Sequence, residues 1–145
     1  MEDKIAICIP NRLECLRWLY PVCEAVLREL PFSENYRLKL MVAISEGFTN
    51  AYLHGNQQKP EARIDLSLYI GKNSLKILIE DSAFLPIKDT VNRDKDIVDP
   101  QAVNGRGIYL MKKIADEAYY EYDPAGINRL VIISSYENKH EDITV

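Results

Sequence analysis

Apolar residues recur along this chain with two periods, and the changes of period mark its elements. Between Lys4 and Ile9, the residues Ile5, Ile7 and Ile9 alternate with smaller or polar neighbours, which is the period of a strand, and Pro10 closes it. The period then lengthens. Leu13, Leu16, Leu19, Val22, Cys23, Val26, Leu27 and Leu30 recur at helical spacing and predict a helix with one long buried face, in which Pro21 introduces a bend. Asn11 followed by Glu14 is a variant of the capping box and sets the start of that helix. Pro31 ends it, Ser33 offers a second N-cap, and the helical pattern resumes from about Glu34 to His54, where Gly55 and Asn56 form a stop.

Period two then returns. Ile64, Leu66, Leu68 and Ile70 alternate with Asp65, Ser67 and Tyr69, a strand with one buried face. Gly71 to Ser74 makes a tight turn into a partner strand, Leu75 to Glu80. From Ser82 to Asn104 no period survives and charged residues dominate Lys88 to Pro100, so this long segment reads as a lid or binding segment, with a merely disordered loop as the competing account. After Gly105-Arg106-Gly107 a short amphipathic helix carries Ile108, Leu110, Met111, Ile114 and Ala115, and two last strands, Tyr119 to Tyr122 and Leu130 to Ser135, are joined by a turn at Asp123-Pro124-Ala125-Gly126. The order has no repeat and no interior linker. It predicts one domain over residues 1–145, an α+β two-layer sandwich with helices covering one face of a mixed, mostly antiparallel sheet.

Composition narrows the partners. A net charge of -4 and a pI near 5.2 argue against a protein that neutralises phosphates along DNA or RNA, whereas a nucleotide site needs no basic domain when magnesium and backbone N–H groups offset the charge. Cys8, Cys15 and Cys23 lack metal-binding spacing and are expected to be buried thiols. No apolar run approaches the roughly 18 residues that span a bilayer, so no membrane partner and a cytoplasmic setting are expected.

Candidate chemistry gathers in four places. On the second helix Met41, Ile44, Phe48 and Tyr52 form an apolar stripe, while Glu46, Asn50 and His54 follow at four-residue steps on roughly the opposite side. Glu46 and Asn50 together supply a carboxylate able to take a proton and an oxygen donor for a hard cation, although a solvated acid beside a polar amide is the plainer account of the pair alone. His54, next to the helix stop, fits an interaction with the helix end. Asp81 closes an apolar strand and, if buried, suits the exocyclic amine of a base such as adenine, although taken alone it is an ordinary strand-end acid. Gly105 and Gly107 flank Arg106 before a helix, where N–H groups and the positive helix end attract phosphate, and a flexible hinge is the alternative.

The order of these features carries a resemblance. Ala43-Ile44-Ser45-Glu46-Gly47-Phe48-Thr49-Asn50-Ala51-Tyr52-Leu53-His54-Gly55 resembles the N-box of the anti-sigma-factor serine/threonine kinases of the GHKL ATPase superfamily. Gly105-Arg106-Gly107-Ile108-Tyr109-Leu110-Met111, continuing to Ala115-Asp116-Glu117, is similar to their second glycine box. The resemblance spans nearly the whole chain and implies ATP and Mg2+ as cofactors. It implies Glu46 as general base toward an acceptor serine, Asn50 as magnesium ligand, Asp81 as holder of the adenine amine, and Gly105, Arg106 and Gly107 as the phosphate cradle. It also implies a sigma factor and an antagonist of the anti-sigma factor as protein partners, and a homodimer.

Two departures bear on catalysis. The family's Asp-x-Gly-x-Gly is replaced by Asp81-Ser82-Ala83-Phe84-Leu85-Pro86, which puts Ala83 where a glycine would approach the nucleotide. The region near Asn128 lacks the threonine often found late in the fold. A rival reading is therefore a degenerate module that sequesters its partner without chemistry. A histidine-kinase catalytic domain is a third reading, disfavoured because no phosphoacceptor helix or domain linker accompanies these motifs.

Overall fold

The computed structural model describes residues 2–82, 103–137 and 139, with the backbone alone for 103–107. Five strands, β1 (Asp3–Pro10), β2 (Arg63–Ile70), β3 (Ser74–Glu80), β4 (Glu117–Asp123) and β5 (Ile127–Ser135), form one sheet in the order β1-β2-β3-β5-β4. All four pairings are antiparallel. Strand alternation sends Ile64, Leu66, Leu68, Ile77, Ile79, Leu130 and Ile132 to one face, each at most 2% exposed. The other face carries Tyr69, Lys76, Glu80 and Arg129, the last ion-paired to Glu80 at 3.0 Å. The two-layer α+β architecture expected from the periods is what the chain adopts.

Helices form the second layer: a 3-10 turn Leu13–Cys15, α1 (Leu16–Arg28), α2 (Glu34–Asn50) continued by a π-helical turn Ala51–Gly55, and α3 (Val103–Ile114). α2 is central and packs against both α1 and α3. Its start is as expected, with the Ser33 hydroxyl accepting from the Tyr36 N–H at 3.0 Å. The first helix begins differently. Arg12, not Asn11, precedes the 3-10 turn, and no side chain caps it. The Asn11 side chain is buried and donates to the Lys59 carbonyl at 3.0 Å, because a buried amide must be paired and its long-range partner displaces the local one. Cys15 and Cys23 are buried as expected, but Cys8 is exposed: it alternates with the inward Ile7 and Ile9 on the edge strand β1. Among the described residues no helix is long and apolar enough to cross a membrane.

Burial has a consequence at high pH. It pushes the Cys23 thiol up to about 12. Tyr36, whose hydroxyl donates to the Ile114 carbonyl at 2.9 Å and meets the Ser134 hydroxyl at 2.8 Å, is also pushed up to about 12, mainly by burial. The fold thus keeps protons that the unfolded chain releases from about pH 9 to 10 upward, so their contribution is complete below that range and declines as pH rises toward 12. Each group lowers stability by at most about 1.4 kcal/mol per pH unit within that window. The melting temperature of Cys23→Ala should fall less steeply with pH above about 9 than that of the native chain. Parallel curves for the two proteins would contradict this assignment.

Candidate functional site

The inner face of the sheet changes character over one step of its register. Ile79, Leu130 and Tyr120 are cross-strand neighbours on β3, β5 and β4. The next row holds Asp81, whose N–H donates to the Asn128 carbonyl at 3.1 Å, then Asn128 and its partner Tyr122. The helix above follows the same change. A β-carbon on Gly47 would lie 2.6 Å from Leu130 Cδ2 and 2.7 Å from Ile79 Cδ1, so glycine lets α2 settle onto the apolar row. In the π-helical turn, a β-carbon on Gly55 would overlap the Asp81 carboxylate, with even the farther oxygen, Oδ1, only 2.7 Å away.

Asp81 is buried, and the Asn128 amide donates to its Oδ1 at 3.1 Å and its Oδ2 at 3.4 Å. Asn50 is 2% exposed, and its Nδ2 donates to the Tyr120 hydroxyl at 3.3 Å. With the nitrogen so engaged, the amide oxygen is the atom suited to a hard cation. Glu46 lies half-buried one turn earlier and is engaged by no hydrogen bond or ion pair among the described residues. His54 falls in the π-helical turn, which breaks the four-residue step from Glu46 and Asn50, and its Nε2 is buried with no partner among the described residues. Asp81 therefore lies between Gly55 and Asn128, while Asn50 meets Tyr120 on the adjoining part of the same face.

The glycine triplet sits differently from its expected place. α3 starts at Val103, so Gly105-Arg106-Gly107 lies inside the helix and not before it. Gly105 and Arg106 still fall among the first four residues, whose N–H groups lack partners within a helix, and Gly107 lies just past them. Ala83 and the rest of the expected lid through residue 102 lie outside the described residues. The sequence pattern gave Tyr120, Asn128 and Asn56 no place in the site. The alternation of Asn128, Leu130, Ile132 and Ser134 along β5 was the available signal, since it aims Asn128 inward beside Asp81.

Residues 9–133 match the family model for the histidine kinase-like ATPase domain. The chain belongs to that family. Serine-protein kinase RsbW of Listeria innocua serovar 6a is 22% identical to it, over 97% of this chain and 92% of that protein. In this histidine kinase-like ATPase domain the feature that suits an adenine nucleotide is a buried carboxylate, seated against Gly55 so closely that a methyl group there would displace it. A separate hollow of about 150 Å³, between β1 and α1, is lined by groups such as Ile7, Ile9, Trp18 and Val22. That lining offers nothing to a triphosphate, and the candidate site is the polar row below α2.

Proposed function

We propose that the chain is an ATP-binding regulatory serine/threonine protein kinase that transfers the γ-phosphoryl group to a serine of a partner protein. The observation that supports it most is the contact of Gly55 with Asp81, a carboxylate kept buried in the room that the missing side chain of Gly55 leaves for it. Asp81 would accept a hydrogen bond from the adenine amine, and the N–H groups of Gly105 and Arg106 would meet the phosphates. Asn50 would hold Mg2+ through its oxygen, and the bound ion would neutralise charge on the phosphates. Glu46 would take the proton as the serine oxygen bonds to γ-phosphorus and the bond to the departing ADP breaks. Family membership and the similarity to a serine-protein kinase agree with this assignment. Its partners would be a sigma factor and the serine-bearing antagonist that frees it, met by a homodimer of this chain.

Calorimetric titration with magnesium-ATP tests the first half of the reading. Binding should be measurable for the native chain and at least about tenfold weaker for Asp81→Asn, which keeps the shape but turns an acceptor toward a donor. Absence of binding heat in the native chain, or equal affinities for the two proteins, would remove Asp81 from this role. The replacement of Asp-x-Gly-x-Gly by Asp81-Ser82-Ala83 favours a second reading, a non-catalytic module that holds its partner. The two part on whether labelled phosphate reaches a partner protein.

A further inference from the structure

Asn56 follows the π-helical turn, is 0% exposed, and uses both ends of its side-chain amide. Its Oδ1 accepts from the Ser82 N–H at 2.7 Å. Its Nδ2 donates to Asn11 Oδ1 and to the Arg63 carbonyl, each at 3.0 Å. Asn11, itself 2% exposed, donates in turn to the Lys59 carbonyl at 3.0 Å. One buried amide pair thus joins the end of β1, the turn after α2, the start of β2 and the residue immediately after Asp81.

The position of Ser82 gives this network its meaning. The Asp81 N–H is tied to the Asn128 carbonyl on the sheet side, and the next N–H along the chain, that of Ser82, is tied to Asn56. Holding the peptide groups on both sides of a residue fixes its φ and ψ, and hence the direction of its Cα–Cβ bond. The remaining freedom of Asp81, rotation of its side chain, is limited by Gly55 on one side and the Asn128 amide on the other. Gly55 and Asn56 are consecutive, so one turn supplies both the space for the carboxylate and the clamp on its backbone. Gln57 and Gln58 follow with φ of 52° and 57°, a left-handed pair of non-glycine residues that the surrounding contacts must hold in place.

We propose that Asn56, braced by Asn11, is a positioning residue that sets base selectivity by aiming the Asp81 carboxylate at the 6-position of a purine. The favoured ligand class is a purine nucleotide with an amine there, and the disfavoured class carries a carbonyl oxygen there, which would face the carboxylate acceptor to acceptor. This rests on the nucleotide reading above. Clamped, the carboxylate meets the amine; released, it can turn and tolerate either group, so discrimination is lost more than binding itself.

The test titrates magnesium-ATP and magnesium-ITP into the full chain, its Asn56→Ala variant and its Asn11→Ala variant. The native chain should prefer ATP at least about tenfold, and Asn56→Ala should reduce that ratio below about threefold, with ATP affinity falling by less than the ratio does as ITP binding improves. Asn11→Ala, which leaves the Asn56–Ser82 bond in place but removes its brace, should give an intermediate ratio and supplies the measurement should Asn56→Ala fail to fold. A merely structural role weakens both nucleotides alike and keeps the ratio, and that result overturns the proposal. If the native chain itself fails to separate ATP from ITP, the fault lies with Asp81 as the adenine acceptor, and both conclusions fall together.

Discussion

Replacing Gly55 by alanine should abolish magnesium-ATP binding while leaving the chain folded. Two effects oppose one another in this substitution. Alanine in place of glycine within a helical segment ordinarily stabilises by about 1 kcal/mol, since it restricts the unfolded chain. Here the added carbon would overlap the Asp81 carboxylate, which must swing away and give up the Asn128 amide bonds. A lost hydrogen bond to a charged group costs about 1.5–3 kcal/mol, so stability should change little or fall slightly. Binding suffers far more, because the carboxylate driven from its seat no longer meets the adenine amine and crowds the space assigned to the base; a loss of at least about a hundredfold is expected. Gly47→Ala is the matched control. Its β-carbon meets only the ends of the Leu130 and Ile79 side chains, which can rotate away, so it should alter melting temperature and not nucleotide affinity. A Gly55→Ala protein that binds ATP as the native chain does would end the assignment of Asp81 to adenine.

Glu46→Gln should separate binding from chemistry. The substitution preserves volume and helix propensity at a half-buried position and removes only the ability to take a proton. Phosphoryl transfer to a partner serine should slow by about 10²–10⁴-fold, the usual contribution of a positioned general base, with ATP affinity within about threefold of native. Single-turnover transfer of labelled phosphate, alongside calorimetry, reads the two quantities independently. Unchanged transfer in the glutamine variant would exclude Glu46 as the base. No transfer by the native chain, with ATP still bound, would favour the non-catalytic module.

Helix termini show how far local patterns reach. Ser33 was readable as an N-cap because its hydroxyl meets an N–H three residues away, a contact that local sequence determines. Asn11 carries the same local signal, yet its amide serves Asn56 and Lys59, more than forty residues away. The helical segment does stop at Gly55 and Asn56 as the pattern indicates, but the π-helical turn that reorients His54 is not written in that pattern. The offset of the glycine triplet, now inside α3, likewise reflects a helix extended beyond its apolar pattern.

Periodicity by itself determined the two layers, the strand faces and the chemical types gathered around α2, because burial imposes period two on strands and about 3.6 on helices wherever a face must be dry. The motifs along the chain also sufficed to single out Glu46, Asn50 and Asp81. Only tertiary structure decided that Gly55 lies against Asp81, that Asn128 and Tyr120 hold the acid and the amide, and that Asn56 clamps Ser82. Those contacts join residues distant in sequence, and their partners follow from strand register and the closeness of α2 to the sheet, which no local pattern encodes.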